Sequence, residues 1–122
     1  MTAEVRVLLA DDSETIRRAI RAVLNLEPRI EILGETHTLA ATVEAASTLH
    51  PNVILLDLHM PTGDIDFEPS TTKAQLLKNC QRVVAMSLAN DAETKTLADL
   101  YGAVLLLDKA KLAYDLIPAL LP

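Results

Sequence analysis

The chain predicts an α/β fold: a doubly wound, five-stranded parallel sheet in a single domain. Three observations point there. Short apolar runs rich in Val, Ile and Leu recur near residues 5–10, 30–35, 53–57, 82–87 and 103–107. A segment with helical spacing follows each of them. Most of the runs are continuous rather than alternating, as expected of parallel strands buried on both faces.

The elements follow in order. The run Val5-Arg6-Val7-Leu8-Leu9-Ala10 ends on Asp11 and Asp12. Ser13 is a suitable N-cap for a helix over 14–27, with Ile16, Ile20, Val23 and Leu24 on one face. Arg17, Arg18 and Arg21 are expected off that face, on a solvated side or a docking surface for an acidic partner. Pro28 marks the turn into the second strand, and residues 38–50 carry Leu39, Val43, Ala46 and Leu49 at helical spacing. Pro51 precedes the third run, Val53-Ile54-Leu55-Leu56, which closes on Asp57. Residues 58–64 read as a loop, and 65–69 show no clean period. Pro69 is expected to delay the third helix to about 70–79, with Ser70 near its cap. The fourth run ends on Ser87. Asp91 caps a helix over 91–101, and Gly102 stops it. The fifth run, 103–107, leads through Asp108 to Lys109, and residues 110–121 bury Leu112, Leu116, Ile117 and Leu120. Right-handed crossovers leave few topologies. The flavodoxin-like order 2-1-3-4-5 sets the first and third strands side by side at the switch point.

Composition narrows the function. At 122 residues, half of them hydrophobic, the chain fits one globular domain with a substantial core. Phe67, Tyr101 and Tyr114 are its aromatic residues, so base-stacking platforms are essentially absent. A net charge of −6 opposes direct binding of nucleic acid and suits a cation. Cys80 is the single cysteine, so no internal disulfide forms; this fits a reducing cytoplasm, and a small half-buried hydrophobe is its expected role. No signal peptide is read at the N-terminus, and no apolar run approaches the ~18 residues that span a bilayer. A cytoplasmic protein without membrane contact is the expectation.

The chemistry concentrates past the strand ends. Asp11, Asp12, Asp57, Ser87 and Lys109 each follow or close a candidate strand, and open α/β sheets bind ligands at that edge. Clustered carboxylates repel unless a cation compensates. A magnesium ion bound by one or two carboxylates, water and phosphate oxygens would do so. Asp57 could then serve as both ligand and nucleophile. Lys109 could point at Asp57 or at a phosphoryl oxygen, and Ser87 could donate a hydrogen bond to that group. The plainer roles for these residues are helix capping and solvated surface charge.

These residues resemble the receiver domain of two-component response regulators. The resemblance rests on Ala-Asp11-Asp12-Ser, on Leu-Leu-Asp57-Leu-His-Met-Pro61, on Met-Ser87 and on the Lys109 position, and it covers essentially all of 1–122. Val-Arg-Val-Leu-Leu-Ala-Asp-Asp and Tyr-Gly-Ala look most like the subfamily usually followed by a helix-turn-helix DNA-binding domain. The resemblance implies that Asp57 accepts a phosphoryl group from a sensor histidine kinase. It implies Mg²⁺ held by Asp12 and Asp57 directly, by Asp11 through water, and by the backbone carbonyl of His59. It implies that Ser87 moves toward the phosphoryl oxygens, biasing a bistable fourth and fifth unit. The implied output is transcription regulation, with DNA reached only through a C-terminal effector absent from this chain.

Several positions depart from the family pattern. Leu106 stands where a switching Tyr or Phe is usual, and Leu105 where the subfamily has Gly. Leu88 replaces a small residue and is expected to crowd the pocket. Ala110 follows Lys109 where Pro is frequent, and Thr62-Gly63-Asp64-Ile65-Asp66 replaces an Asp-Gly turn. His59 could influence water access and autodephosphorylation, or simply face solvent; His37 and His50 are isolated. Leu97, Leu100 or Leu112 could serve a homodimer. Two other readings stay open: a pseudo-receiver acting by phosphorylation-independent contacts, and an aspartyl-phosphate hydrolase of the haloacid-dehalogenase kind. The hydrolase would want an Asp where His59 stands. A dinucleotide site is disfavoured because the first turn reads Asp-Asp-Ser rather than Gly-x-Gly.

Overall fold

The computed structural model describes residues 4–63 and 68–121. Its elements are β1 (Val5–Ala10), α1 (Glu14–Leu24), β2 (Ile30–Thr36), α2 (Leu39–Leu49), β3 (Val53–Asp57), α3 (Pro69–Lys78), β4 (Arg82–Ser87), α4 (Ala92–Leu100), β5 (Ala103–Asp108) and α5 (Leu112–Leu120), with a 3-10 turn at Lys109–Lys111. The five strands form one sheet in the order β2-β1-β3-β4-β5, every pairing parallel. This is the flavodoxin-like arrangement expected from the alternation.

The period-two geometry of the strands divides the core into two layers. Val7, Leu9, Val53, Leu55, Val84 and Met86 pack with Ile20 and Leu24 of α1 and Leu112, Leu116 and Leu120 of α5. The alternate residues Leu8, Ala10, Ile54, Leu56, Val83 and Ala85 pack with Leu39, Ala46, Leu76 and Ala98 on α2, α3 and α4. The central strands carry unbroken apolar stretches, Val7–Ala10, Val53–Leu56 and Val83–Met86, because both faces are covered.

Local signals set most boundaries. Ser13 Oγ accepts from Ile16 N, and Asp91 accepts from Thr94 N. Gly102, at φ 77°, ends the α4 unit; a Cβ there would meet a Leu77 methyl at 2.9 Å. Cys80 is half-buried, and burial pushes its thiol up, as suits a small hydrophobe.

Some expectations change. Pro69 does not delay α3; it occupies the first turn, and Glu68 caps the helix by accepting from Ser70 N and Thr71 N. A proline is tolerated there because its missing N–H would be unpaired in any case. Those four hydrogen bonds from Ser70 and Thr71 hold the Glu68 carboxyl at about 2. α1 ends at Leu24 rather than 27, leaving Leu26 exposed. Residues 109–111 form the 3-10 turn before α5 begins at Leu112. Pro118 lies inside α5 and cannot donate to the Tyr114 carbonyl. Arg82 closes the end of that helix, donating to Ala119 O at 2.8 Å and Leu120 O at 2.7 Å. Residues 64–67, the last of the expected loop and most of the stretch without a clean period, lie outside the described residues, as do 1–3 and 122.

Two leucines are placed against expectation. Leu88 is 77% exposed and turns away from the interior, so it does not crowd the strand ends. Leu112, a candidate for a dimer interface, is buried beneath the sheet. Leu116→Ala is expected to cost about 2–5 kcal/mol by opening a cavity in the core layer beneath α1 and α5. Leu88→Ala should stay within about 0.5 kcal/mol. Urea unfolding of both variants checks the pair.

Candidate functional site

The parallel register gathers the polar residues at one edge. Ala10 pairs with Leu56, so Asp11 leaves β1 beside the end of β3. Asp57 pairs with Met86, and Ser87 pairs with Asp108. Lys109 follows immediately. Its ammonium reaches back across the sheet edge to Asp11 Oδ2 at 2.8 Å and Asp57 Oδ1 at 3.2 Å. Asp11, Asp57 and Ser87 are buried, Lys109 is largely so, and Asp12 is exposed.

Asp11 is held from every side. Its N–H donates to Thr36 O at 3.1 Å, and its Oδ1 accepts from Ser13 N at 2.8 Å. Its carbonyl accepts from Arg17 Nη1 at 2.7 Å. Its Oδ2 is wholly buried, and the Lys109 ammonium is its one partner among the described residues. A buried carboxylate oxygen with capacity to spare is what a hard cation uses. One carboxylate oxygen each from Asp11, Asp12 and Asp57 lie within 4.8 Å of one another, so this donor set fits such an ion.

Three acids face one ammonium, which leaves a local excess of negative charge. The Asp57 carboxyl is pushed above its usual value by burial and then by the Asp11 charge. The His59 N–H, donated to Oδ1 at 3.0 Å, and Lys109 oppose this without cancelling it. Burial alone would pull Lys109 down. The hydrogen bond to Asp11 and the charges of Asp57 and Asp11 outweigh it, holding the ammonium above its ordinary value.

Ser87 Oγ accepts from Ala89 N at 3.0 Å and lies 3.2 Å from His59 Nε2. His59 therefore has a defined partner, although its ring remains exposed at the pocket mouth. Leu106 packs partly buried against the α2–α4 core. Arg17 corrects the reading of α1. It is buried, and it also donates Nε to Glu35 Oε1 at 3.0 Å; Arg21 contacts the same oxygen. These two guanidiniums brace the first turn rather than offer an open basic face. The spacing 17, 20, 24 carried that signal, since Arg17 lies on the helical face of Ile20 and Leu24. Arg18 alone of the three stays exposed, in an (i, i+4) pair with Glu14.

The response regulator receiver domain family matches residues 7–120. Protein-glutamate methylesterase/protein-glutamine glutaminase 3 of Leptospira interrogans is 34% identical over 109 residues, covering 88% of this chain and 30% of that protein. The methylesterase/glutaminase of Rhizobium etli is 33% identical over 101 residues, covering 82% and 28%. The chain thus spans about three-tenths of the length of the curated relatives it matches. Among solved structures, the response regulator domain of Thermotoga maritima CheB aligns with a TM-score of 0.77 at 23% identity, covering 95% of this chain and 92% of that one. The non-phosphorylated receiver domain of RcsB from Escherichia coli aligns with a TM-score of 0.81 at 19% identity, covering 96% and 90%. At those identities the likeness is one of fold, and it agrees with the strand order. The family match runs through all five βα units, so the chain belongs to the response regulator receiver domain family.

Proposed function

We propose that this domain is a signalling phosphoacceptor, taking a phosphoryl group from a histidine kinase onto Asp57. The observation that carries this reading is the Lys109 ammonium shared between two buried carboxylates at the sheet edge. Family membership supports the class of reaction. A small domain with rigid strand ends suits a transfer that needs positioning and charge neutralisation more than covalent chemistry.

The roles divide by atom. Asp57 Oδ1 receives both the His59 N–H and the Lys109 ammonium. We assign Oδ2 to attack. It bonds to phosphorus as the P–N bond of the kinase phosphohistidine breaks, and the electron pair leaves on the imidazole nitrogen. Lys109 neutralises charge on the transferred group, and Ser87 donates to one of its oxygens. Asp12 and Asp57 would hold Mg²⁺ directly, with Asp11 through water and the His59 carbonyl completing the protein ligands. Bound there, the ion would supply charge neutralisation for the incoming phosphoryl oxygens.

The output is a change of protein contacts in a cytoplasmic signalling pathway. The curated relatives bear a methylesterase name, so transcription regulation through an attached helix-turn-helix is one of two effector classes this receiver could serve. A homodimer would draw on the exposed residues Leu100, Val104 and Leu105. The pseudo-receiver reading draws on Leu106 and loses its second support, because Leu88 faces solvent. Lysine and serine in place around Asp57 favour phosphorylation.

Acetyl phosphate with Mg²⁺ should give one phosphoryl adduct, located on Asp57 by mass spectrometry. Asp57→Asn should abolish it, and an unmodified Asp57 in the parent chain would overturn the reading.

Stability without metal supplies a second check. The folded-state pKa of Asp57 is raised, so the native state binds more protons and stability falls as pH rises through that window. Asp57→Asn removes this cost. It is expected to stabilise the protein at pH 7 relative to the parent chain. The gain should vanish below about pH 4, where the unfolded carboxyl is also protonated. Thermal melts in chelator at the two pH values measure it.

A further inference from the structure

We propose that His59 is a positioning residue that latches Ser87 in the resting state and competes with a phosphoryl group for its hydroxyl. The inference rests on the phosphoacceptor reading and adds a restraint within the same pocket.

Ser87 is fully buried at the end of β4, and its side-chain oxygen is engaged twice. Ala89 N donates to it at 3.0 Å, and His59 Nε2 lies 3.2 Å away. The contact works with either histidine tautomer. If Nε2 accepts, the hydroxyl proton is spent on the ring. If Nε2 donates, the ring N–H and the Ala89 N–H occupy both lone pairs. When Nε2 accepts, the hydroxyl cannot turn to another acceptor without releasing the ring; when it donates, the proton stays free and the two donors fix only the position of Oγ.

The backbone makes this restraint effective. His59 N donates to Asp57 Oδ1 at 3.0 Å, and Leu58 N donates to Met86 O at 3.1 Å, extending the β3–β4 pairing past the acid. The ring is thus carried by a segment anchored to both strands. It joins the loop after β3 to the loop after β4, residues 28 apart in sequence. Asp91, which begins α4, follows four residues after Ser87. Any ligand that draws the Ser87 hydroxyl toward Asp57 must break the His59 contact, and that releases the path toward α4.

The test uses His59→Ala and His59→Gln, both of which keep the backbone N–H and carbonyl at position 59. The glutamine amide can take the place of the ring nitrogen, its Oε1 accepting or its N–H donating. The probe is beryllofluoride, titrated at fixed Mg²⁺ and followed by backbone amide NMR. A net hydrogen bond lost from the resting state should tighten binding about three- to tenfold in His59→Ala, and His59→Gln should return toward the parent value. Without ligand, the Ala89 amide should exchange its hydrogen faster in His59→Ala. Equal or weaker beryllofluoride binding by His59→Ala overturns the latch while leaving the phosphoacceptor reading standing. Failure of every form, the parent included, to bind the probe overturns both. A merely structural role for His59 would weaken binding in both variants, with no recovery in glutamine.

Discussion

The ammonium of Lys109 is the interaction on which the pocket depends. Asp11 and Asp57 are both buried, and they approach because β1 and β3 are neighbours in the sheet. Two carboxylates brought together out of water oppose each other and lose hydration. Lys109 lies against both and makes the arrangement tolerable, without removing the excess negative charge. The site is therefore kept short of one positive partner. Burial, and then the Asp11 charge, holds the Asp57 carboxyl above its usual range, and the buried Oδ2 of Asp11 keeps spare capacity. The same imbalance that costs stability leaves the pocket short of positive charge.

A second layer keeps that pocket in shape. Arg17 reaches from α1 to the Asp11 carbonyl and to Glu35 on β2, so the first acid is fixed through both a helix and an edge strand. The buried guanidinium is tolerated because its hydrogen bonds are met by a carboxylate and a carbonyl. On the opposite side, His59 and Ala89 hold the Ser87 hydroxyl. One flank is braced by a buried ion pair. The other is held by one backbone amide and one exposed ring.

The departures from the family pattern gain meaning from their surroundings. Leu88 points outward, so its size has no consequence for the strand ends. Leu106 packs partly into the α2–α4 core. It has no hydroxyl to form or break a hydrogen bond, so its links to neighbouring elements are packing contacts alone. Leu100, Val104 and Leu105 leave an exposed apolar area on α4 and β5 beside it.

Sequence by itself determined the alternation of elements, the strand order, and the five polar residues at the strand ends. It also determined the caps at Ser13, Asp91 and Gly102. These are local matters: an apolar run, a side chain three residues from its amide, a residue that tolerates positive φ. Tertiary structure alone decided which charges go inside and which side chains meet. Arg17 and Glu35 are 18 residues apart, His59 and Ser87 are 28 apart, and Arg82 lies 37 and 38 residues from the carbonyls it caps. The outward turn of Leu88 and the burial of Leu112 belong to the same class. Each depends on register, helix rotation and rotamer at once, and no local propensity encodes that combination.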